Sequence, residues 1–93
     1  MAQDDVNLTR NLNGSLTYRL EKPSDDCQIA ALEIGKRRDG SYWARIEFRA
    51  RVGLTMAQWS CPDWAQLLAD IDHKRVEYHC PLFPIEEPTT VHW

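Results

Sequence analysis

The stretch GSYWARIEFRARVG, residues 40–53, alternates apolar and polar side chains at almost every position. A β-strand places successive side chains on opposite faces of its sheet, so this alternation predicts a strand that is buried on one face only. The side chains expected on the polar face are Trp43, Arg45, Glu47, Arg49 and Arg51. The chain should therefore contain a sheet with one face open to solvent.

The segment before it, CQIAALEIGK at residues 27–36, also alternates and is joined to it by KRRDGS. A two-residue turn between these strands would place Leu32 opposite Glu47 and mix the two faces. A three-residue loop, with a type I turn and Gly40 in the left-handed conformation, keeps apolar residues opposite apolar ones. We therefore predict the register that pairs position 34 with 44, 32 with 46 and 30 with 48.

This register also brings together two pairs of residues that were not used to choose it. It places Glu33 opposite Arg45, which are side chains of opposite charge. It also lays Trp43 over Gly35, where an aromatic ring can cover a strand glycine. Both pairs would lie on the polar face.

The rest of the chain adds weaker signals. SLTYRLE, residues 15–21, predicts a first strand, and LTMAQW, residues 54–59, a short fourth one. A helix should follow, with Ser60 as its cap and Asp63 in a capping box, and end near His73. RVEYHCPLF, residues 75–83, alternates and predicts a last strand.

These elements predict a small α+β domain: an antiparallel sheet of three to five strands around a central β-hairpin, with one α-helix packed on one face. The apolar side chains expected beneath the helix are Leu16, Tyr18, Leu20, Leu32, Ile34, Tyr42, Ile46, Phe48 and Val52. Residues 13–84 are expected to form the domain. Residues 1–12 are expected to be a flexible N-terminal segment and 85–93 a C-terminal tail, either loosely ordered or anchored on the body by Val91 and Trp93.

Composition narrows the function classes. The chain has 93 residues and a net charge of −3, and its N-terminus is acidic where a secretory signal would be basic and then apolar. No apolar run has the length of a membrane helix, and three cysteines without paired spacing are typical of reduced thiols. We expect a cytoplasmic protein that does not insert into membranes.

Charge is unevenly distributed along the chain. Residues 27–53 hold six basic and three acidic side chains, whereas residues 54–93 hold six acidic and two basic ones. Such a molecule can present two electrically different surfaces. Arg37 and Arg38, at the tip of the hairpin, would extend the basic side.

Two functional interpretations follow, beside the simpler one that mixed charges merely solvate an open sheet. The first is a non-enzymatic protein-binding module of inhibitor, immunity or adaptor type. It would act through the Trp/Arg face, the hairpin tip or a sheet edge, and an unpaired edge would also allow a homodimer. The alternative is nucleic-acid binding through the basic ridge. The candidate contact residues are Trp43, Arg45, Arg49, Arg51, Arg37 and Arg38.

The sequence gives little sign of catalysis or of a cofactor. Cys61, His73, His79 and Cys80 lack the paired spacing of zinc sites, and neighbouring strand residues such as His79 and Cys80 would point to opposite faces. Cys61, at a helix start, has no identifiable base to activate it. We therefore expect no catalytic residues, no metal and no cofactor.

Overall fold

The structure is a computed structural model of the chain and describes residues 6–21, 26–49 and 56–89. Its elements are β1 (Val6–Arg10), β2 (Leu16–Leu20), β3 (Ile29–Lys36), β4 (Tyr42–Phe48), β5 (Met56–Cys61) and α1 (Trp64–Glu77). The strands form one antiparallel sheet in the order β1-β2-β3-β4-β5. With α1 packed on one face, this confirms the predicted α+β fold.

The central hairpin has the predicted three-residue loop. The backbone N–H of Arg37 donates to the Ser41 carbonyl at 2.8 Å, and that of Gly40 donates to the Arg37 carbonyl at 3.0 Å. Gly40 has a φ of 91°, in the left-handed region that favours glycine. Beyond the loop, positions 34 and 44 pair, as do 32 and 46, as the alternation predicted.

The pairing of position 30 with 48 is wrong, because β3 carries a bulge. Ile29, not Ala30, lies opposite Phe48, and the register shifts between Ile29 and Ala31. The extra residue places the larger Ile29 side chain in the core, where it is almost completely buried, while Ala30 is half-buried. Burial of the larger apolar side chain favours the irregular pairing.

The core lies between the sheet and α1, whose Leu67 and Ile71 side chains are fully buried. Every member of the predicted apolar face that the structure describes is buried; Val52 lies outside the described residues. Phe83 adds an aromatic ring from beyond the helix and packs against Tyr18 with ring centroids 5.4 Å apart. The helix and the C-terminal segment therefore share one face of the sheet.

Residues 6–10 form a strand that the sequence did not predict. β1 pairs along its full length with β2, and its Val6 and Leu8 side chains are half-buried against the core. Two apolar residues in five give too short a pattern to distinguish a strand from an irregular segment.

The helix begins and ends later than predicted. Asp63, not Ser60, is the N-cap: its carboxylate accepts a hydrogen bond from the Gln66 backbone N–H at 2.8 Å. The helix continues past His73 to Glu77 and stops where His79 adopts a φ of 57°. The Cys80 N–H then donates to the Arg75 carbonyl at 2.8 Å, which closes the last turn.

The predicted last strand is also wrong, since α1 takes its first three residues and residues 78–83 form no strand. As a strand, this segment would have placed Val76 and Leu82 on its apolar face and Arg75 on its polar face. In the structure Val76 and Leu82 are exposed and Arg75 is buried. The Arg75 guanidinium contacts Asp72 and donates to the Phe83 carbonyl at 2.8 Å, and these polar partners make its burial possible.

Beyond α1 the described chain, residues 80–89, has no regular secondary structure but packs on the core face. The Glu86 N–H donates to the Tyr18 hydroxyl at 2.8 Å, and the Tyr42 hydroxyl contacts the Glu87 carboxylate. Val91 and Trp93, the predicted anchors of the tail, lie outside the described residues.

Candidate functional site on the open sheet face

We use "open face" for the side of the sheet opposite α1. The described side chains that project from it include Asn7, Thr17, Arg19, Glu33, Trp43, Arg45, Glu47, Gln58 and Ser60, which the strand registers bring into adjacent rows. This is the polar face that the alternation of residues 40–53 predicted. Neither α1 nor the described C-terminal segment packs against it, since both contribute to the core face.

Trp43 lies flat over Gly35, as the predicted register requires. The two residues are directly opposite each other in β3 and β4. A Cβ atom at position 35 would overlap the indole ring of Trp43, so the ring rests directly on the glycine backbone. The side chain is consequently only half-buried, with one face against the sheet and the other towards solvent.

Arg45 is held in place by a chain of polar contacts. Its guanidinium forms an ion pair with Glu33, whose other carboxylate oxygen lies 3.0 Å from Ser15 Oγ. Ser15 is buried, and it is fixed in turn by Asn13 Oδ1 at 2.6 Å and by Asn11 Nδ2 at 2.9 Å. The loop between β1 and β2 thus positions a cation on β4.

A second ion pair lies one row away. Arg19 Nη1 on β2 is 3.8 Å from Glu47 Oε1 on β4, and both side chains are more than half exposed. This contact and the Glu33–Arg45 pair bring two arginines and two glutamates together. All four charges are therefore paired, and this part of the open face carries no net charge.

Arg49 is the next arginine of the predicted row. It follows the last residue of β4, and its Nη1 donates to the Cys27 carbonyl at 2.8 Å. Its backbone N–H donates to the Gln28 carbonyl at 2.9 Å. These contacts connect Arg49 to the segment that leads into β3. Arg51 lies outside the described residues.

The hairpin tip carries Arg37 and Arg38, both exposed. Arg37 Nη1 reaches the Tyr42 carbonyl at 3.4 Å. Asp39 accepts hydrogen bonds from the Ser41 hydroxyl and N–H, which lower the pKa of its carboxyl group, and Arg37 lowers it further. The structure thus brings Trp43 and Arg45 together on the face and leaves the tip arginines at its end.

Sequence reasoning missed the contribution of Ser15 and of the two asparagines before it. Asn13 and Gly14 indicate a turn, but which strand the turn faces depends on β1, which was not predicted. The sequence also gave no sign that Arg19 is the partner of Glu47, since that pair requires β2 and β4 to lie on either side of β3.

Cys61, the thiol just before the helix, lies beside a carboxylate. Its Sγ donates to Asp70 Oδ2 at 3.1 Å. Burial of the thiol, followed by this neighbouring carboxylate, raises the pKa of Cys61 to about 11. A thiol with so high a pKa holds little thiolate at neutral pH.

Among residues 6–21, 26–49 and 56–89, no group of three or more His, Cys, Asp or Glu side chains is arranged to hold a metal ion. The same ranges contain no helix of the length and apolar character needed to cross a bilayer. No protein family model, curated protein or solved structure matches the chain.

Proposed function

We propose that this protein is a small non-enzymatic protein-binding module of inhibitor, immunity or adaptor type, and that it contacts its partner through Trp43 and Arg45 on the open face. The observation that carries the proposal is the placement of Trp43: its ring is supported by Gly35 on one side and open on the other, beside an arginine whose position is already fixed.

Fixed side chains favour binding because less conformational entropy is lost when the partner arrives. Trp and Arg are also among the residues that most often carry the binding energy of protein interfaces. The contact with Glu33 and the buried Ser15 below it limits the freedom of Arg45. The Gly35 backbone does the same for the indole ring of Trp43.

Charge favours a protein partner over a nucleic acid. Each of the two arginines at the centre of the face is paired with a glutamate, and the chain as a whole has a net charge of −3. Phosphates bind where cations are in excess, because affinity comes from the counterions that each cation displaces. A protein surface with an apolar centre and charges of both signs complements this face better.

We also propose a cytoplasmic location. All three cysteines are buried free thiols, as expected of a protein that works in a reducing compartment.

The test is an affinity capture of binding partners with three immobilised proteins: the wild type, Trp43→Ala and Val76→Ala. Each capture is treated with nuclease, so that partners held through nucleic acid are removed. Val76 is the matched control, since it is an exposed apolar residue of α1 on the other side of the sheet. A partner of the open face should be retained by Val76→Ala and bound roughly 10- to 100-fold more weakly by Trp43→Ala, as at an interface hot spot. Circular dichroism would confirm that both variants fold.

A titration with labelled single-stranded and duplex oligonucleotides, at low and physiological salt, tests the alternative of nucleic-acid binding. Binding that falls steeply with salt and is lost in Arg45→Ala would replace the protein partner by a nucleic acid. Equal capture by wild type and Trp43→Ala would contradict the proposal, because the partner would then use another surface.

A further inference from the structure

β5 is one of the two edge strands of the sheet, and its sequence MAQWSC contains no charged residue. Natural edge strands are usually protected from pairing by charges, proline or a bulge. β1, the opposite edge, ends in Arg10, which pairs with Glu86 at 2.7 Å. β5 has none of these protections along its six residues.

The hairpin contacts determine which backbone groups of β4 face β5. Arg37 and Ser41 form a hydrogen-bonded pair at the hairpin end. In an antiparallel ladder hydrogen-bonded and non-hydrogen-bonded pairs alternate, and each residue directs its N–H and C=O to one side of the strand. Odd-numbered residues of β4 therefore bond to β3, and even-numbered residues bond to β5.

The same alternation continues into β5. Ala44 of β4 lies opposite Trp59, so the backbone of Trp59 bonds to β4. The residues on either side of each bonded position direct their N–H and C=O away from the sheet. These are Met56, Gln58 and Ser60, and no described strand lies beyond them.

A groove runs beside this edge on the helix side. It has a volume of about 300 Å³ and is lined by Ala57, Gln58, Trp59, Asp70, His73 and Lys74. A strand added to the outside of β5 would therefore place alternate side chains over the groove.

We propose that the strand added to β5 is β5 of a second copy of this chain, antiparallel to the first and centred on Gln58. Within β5, this is the register that uses all three outward-facing residues. Gln58 then pairs with the partner's Gln58, and Met56 pairs with the partner's Ser60. The result is a two-fold symmetric dimer with a continuous ten-stranded sheet.

Side-chain size and charge both fit this register. On the helix side it places the small Ala57 opposite the partner's Trp59, so the indole of one copy extends over the groove of the other. A centre on Trp59 would instead oppose the two indoles. Because β5 is uncharged, self-pairing brings no like charges of the strands together across the axis.

The contact is small. A five-residue overlap buries less than the roughly 800 Å² per partner of a standard interface, so we expect a dissociation constant of about 10–100 µM. The dimer should be observed by sedimentation equilibrium of the wild type at concentrations from about 10 µM to 1 mM.

Charged substitutions of Gln58, the residue on the two-fold axis, test the register. In Gln58→Glu two carboxylates would meet at the axis, and in Gln58→Lys two ammonium groups would meet there. Each variant alone should be monomeric, and an equimolar mixture should restore a dimer at least as tight as that of the wild type. This result is specific to the register, because a residue away from the two-fold axis would not lie opposite the same residue of the partner.

Asn7→Glu and Asn7→Lys are the matched controls, because Asn7 is exposed on β1 at the other edge of the sheet. Both should dimerise like the wild type. Melting temperatures check the fold, since Gln58 lies opposite Arg45. A wild type that stays monomeric at about 1 mM would overturn the proposal. Persistent dimers of both folded Gln58 variants, or a mixture that stays monomeric, would overturn it too.

Trp43→Ala separates this dimer from the binding of another protein. Trp43 is on β4, one strand in from the edge, so its removal should leave self-association unchanged while it weakens partner binding.

Discussion

The two faces of the sheet are organised by different physical effects. On the core face Ile34, Ala44 and Ile46 have no exposed surface and pack beneath α1. On the open face the side chains of Arg45 and Glu47 remain about half exposed and are held by ion pairs and hydrogen bonds. Burial of apolar surface is the larger source of stability, whereas exposed ion pairs contribute little.

In the function that we propose, the core face stabilises the fold and the open face binds the partner. A face whose side chains are fixed but hardly stabilising can change its contacts at small cost to the fold, so it is suited to evolve specificity. Trp43 connects the two roles, because the position of its ring depends on the backbone of Gly35 while its outer surface is open. Substitutions on each face should therefore differ in size and in kind.

The largest effect is expected on the core face. Ile46→Ala removes three buried carbon atoms at a fully enclosed site and should lower the free energy of unfolding by about 3–4 kcal/mol. Val76→Ala, at an exposed position of α1, is the control and should change it by less than about 0.5 kcal/mol. Urea denaturation followed by circular dichroism measures both, and equal losses would contradict the assignment of the core.

An intermediate effect is expected at Gly35, whose backbone supports the Trp43 ring. In Gly35→Ala the new methyl group overlaps the Trp43 ring, which must move. We expect a loss of about 1–3 kcal/mol, as for other overpacked sites.

The same substitution in a Trp43→Ala background provides the control. With the ring absent, Gly35→Ala should be neutral or slightly stabilising, because alanine restricts the unfolded chain more than glycine does. A loss that is equal in both backgrounds would show that the ring does not rest on the glycine. The double-mutant cycle is measured by urea denaturation.

The centre of the sheet could be predicted from sequence because its signals are local and agree. Alternation in both strands, together with Gly40, limited the hairpin to one loop length, and the loop then placed Trp43 over Gly35 and Arg45 opposite Glu33. The bulge could not be predicted, since it depends on the volume available to Ile29 in the assembled core.

Residues 75–83 were mispredicted as a strand because their pattern fits two structures. Residues 75–77 alternate as a strand would, yet they complete the last turn of α1. Burial of Arg75 depends on the Phe83 carbonyl, which only the folded C-terminal segment supplies. The contact of Arg49 was missed for a similar reason: its guanidinium donates to the Cys27 carbonyl, and no local sequence pattern indicates that contact.

The smallest effect is expected for the Glu33–Arg45 pair on the open face. A double-mutant cycle with Glu33→Gln and Arg45→Gln should give a coupling free energy of about 0.5–1 kcal/mol, since the arginine side chain is about half exposed. The coupling should fall when the salt concentration is raised from about 0.1 M to 1 M, because salt screens exposed charges. The Arg19–Glu47 pair, longer and more exposed, should couple less and serves as the internal comparison. A coupling near zero for both pairs would mean that Arg45 is not fixed before a partner binds, and the advantage that we assign to the open face would be lost.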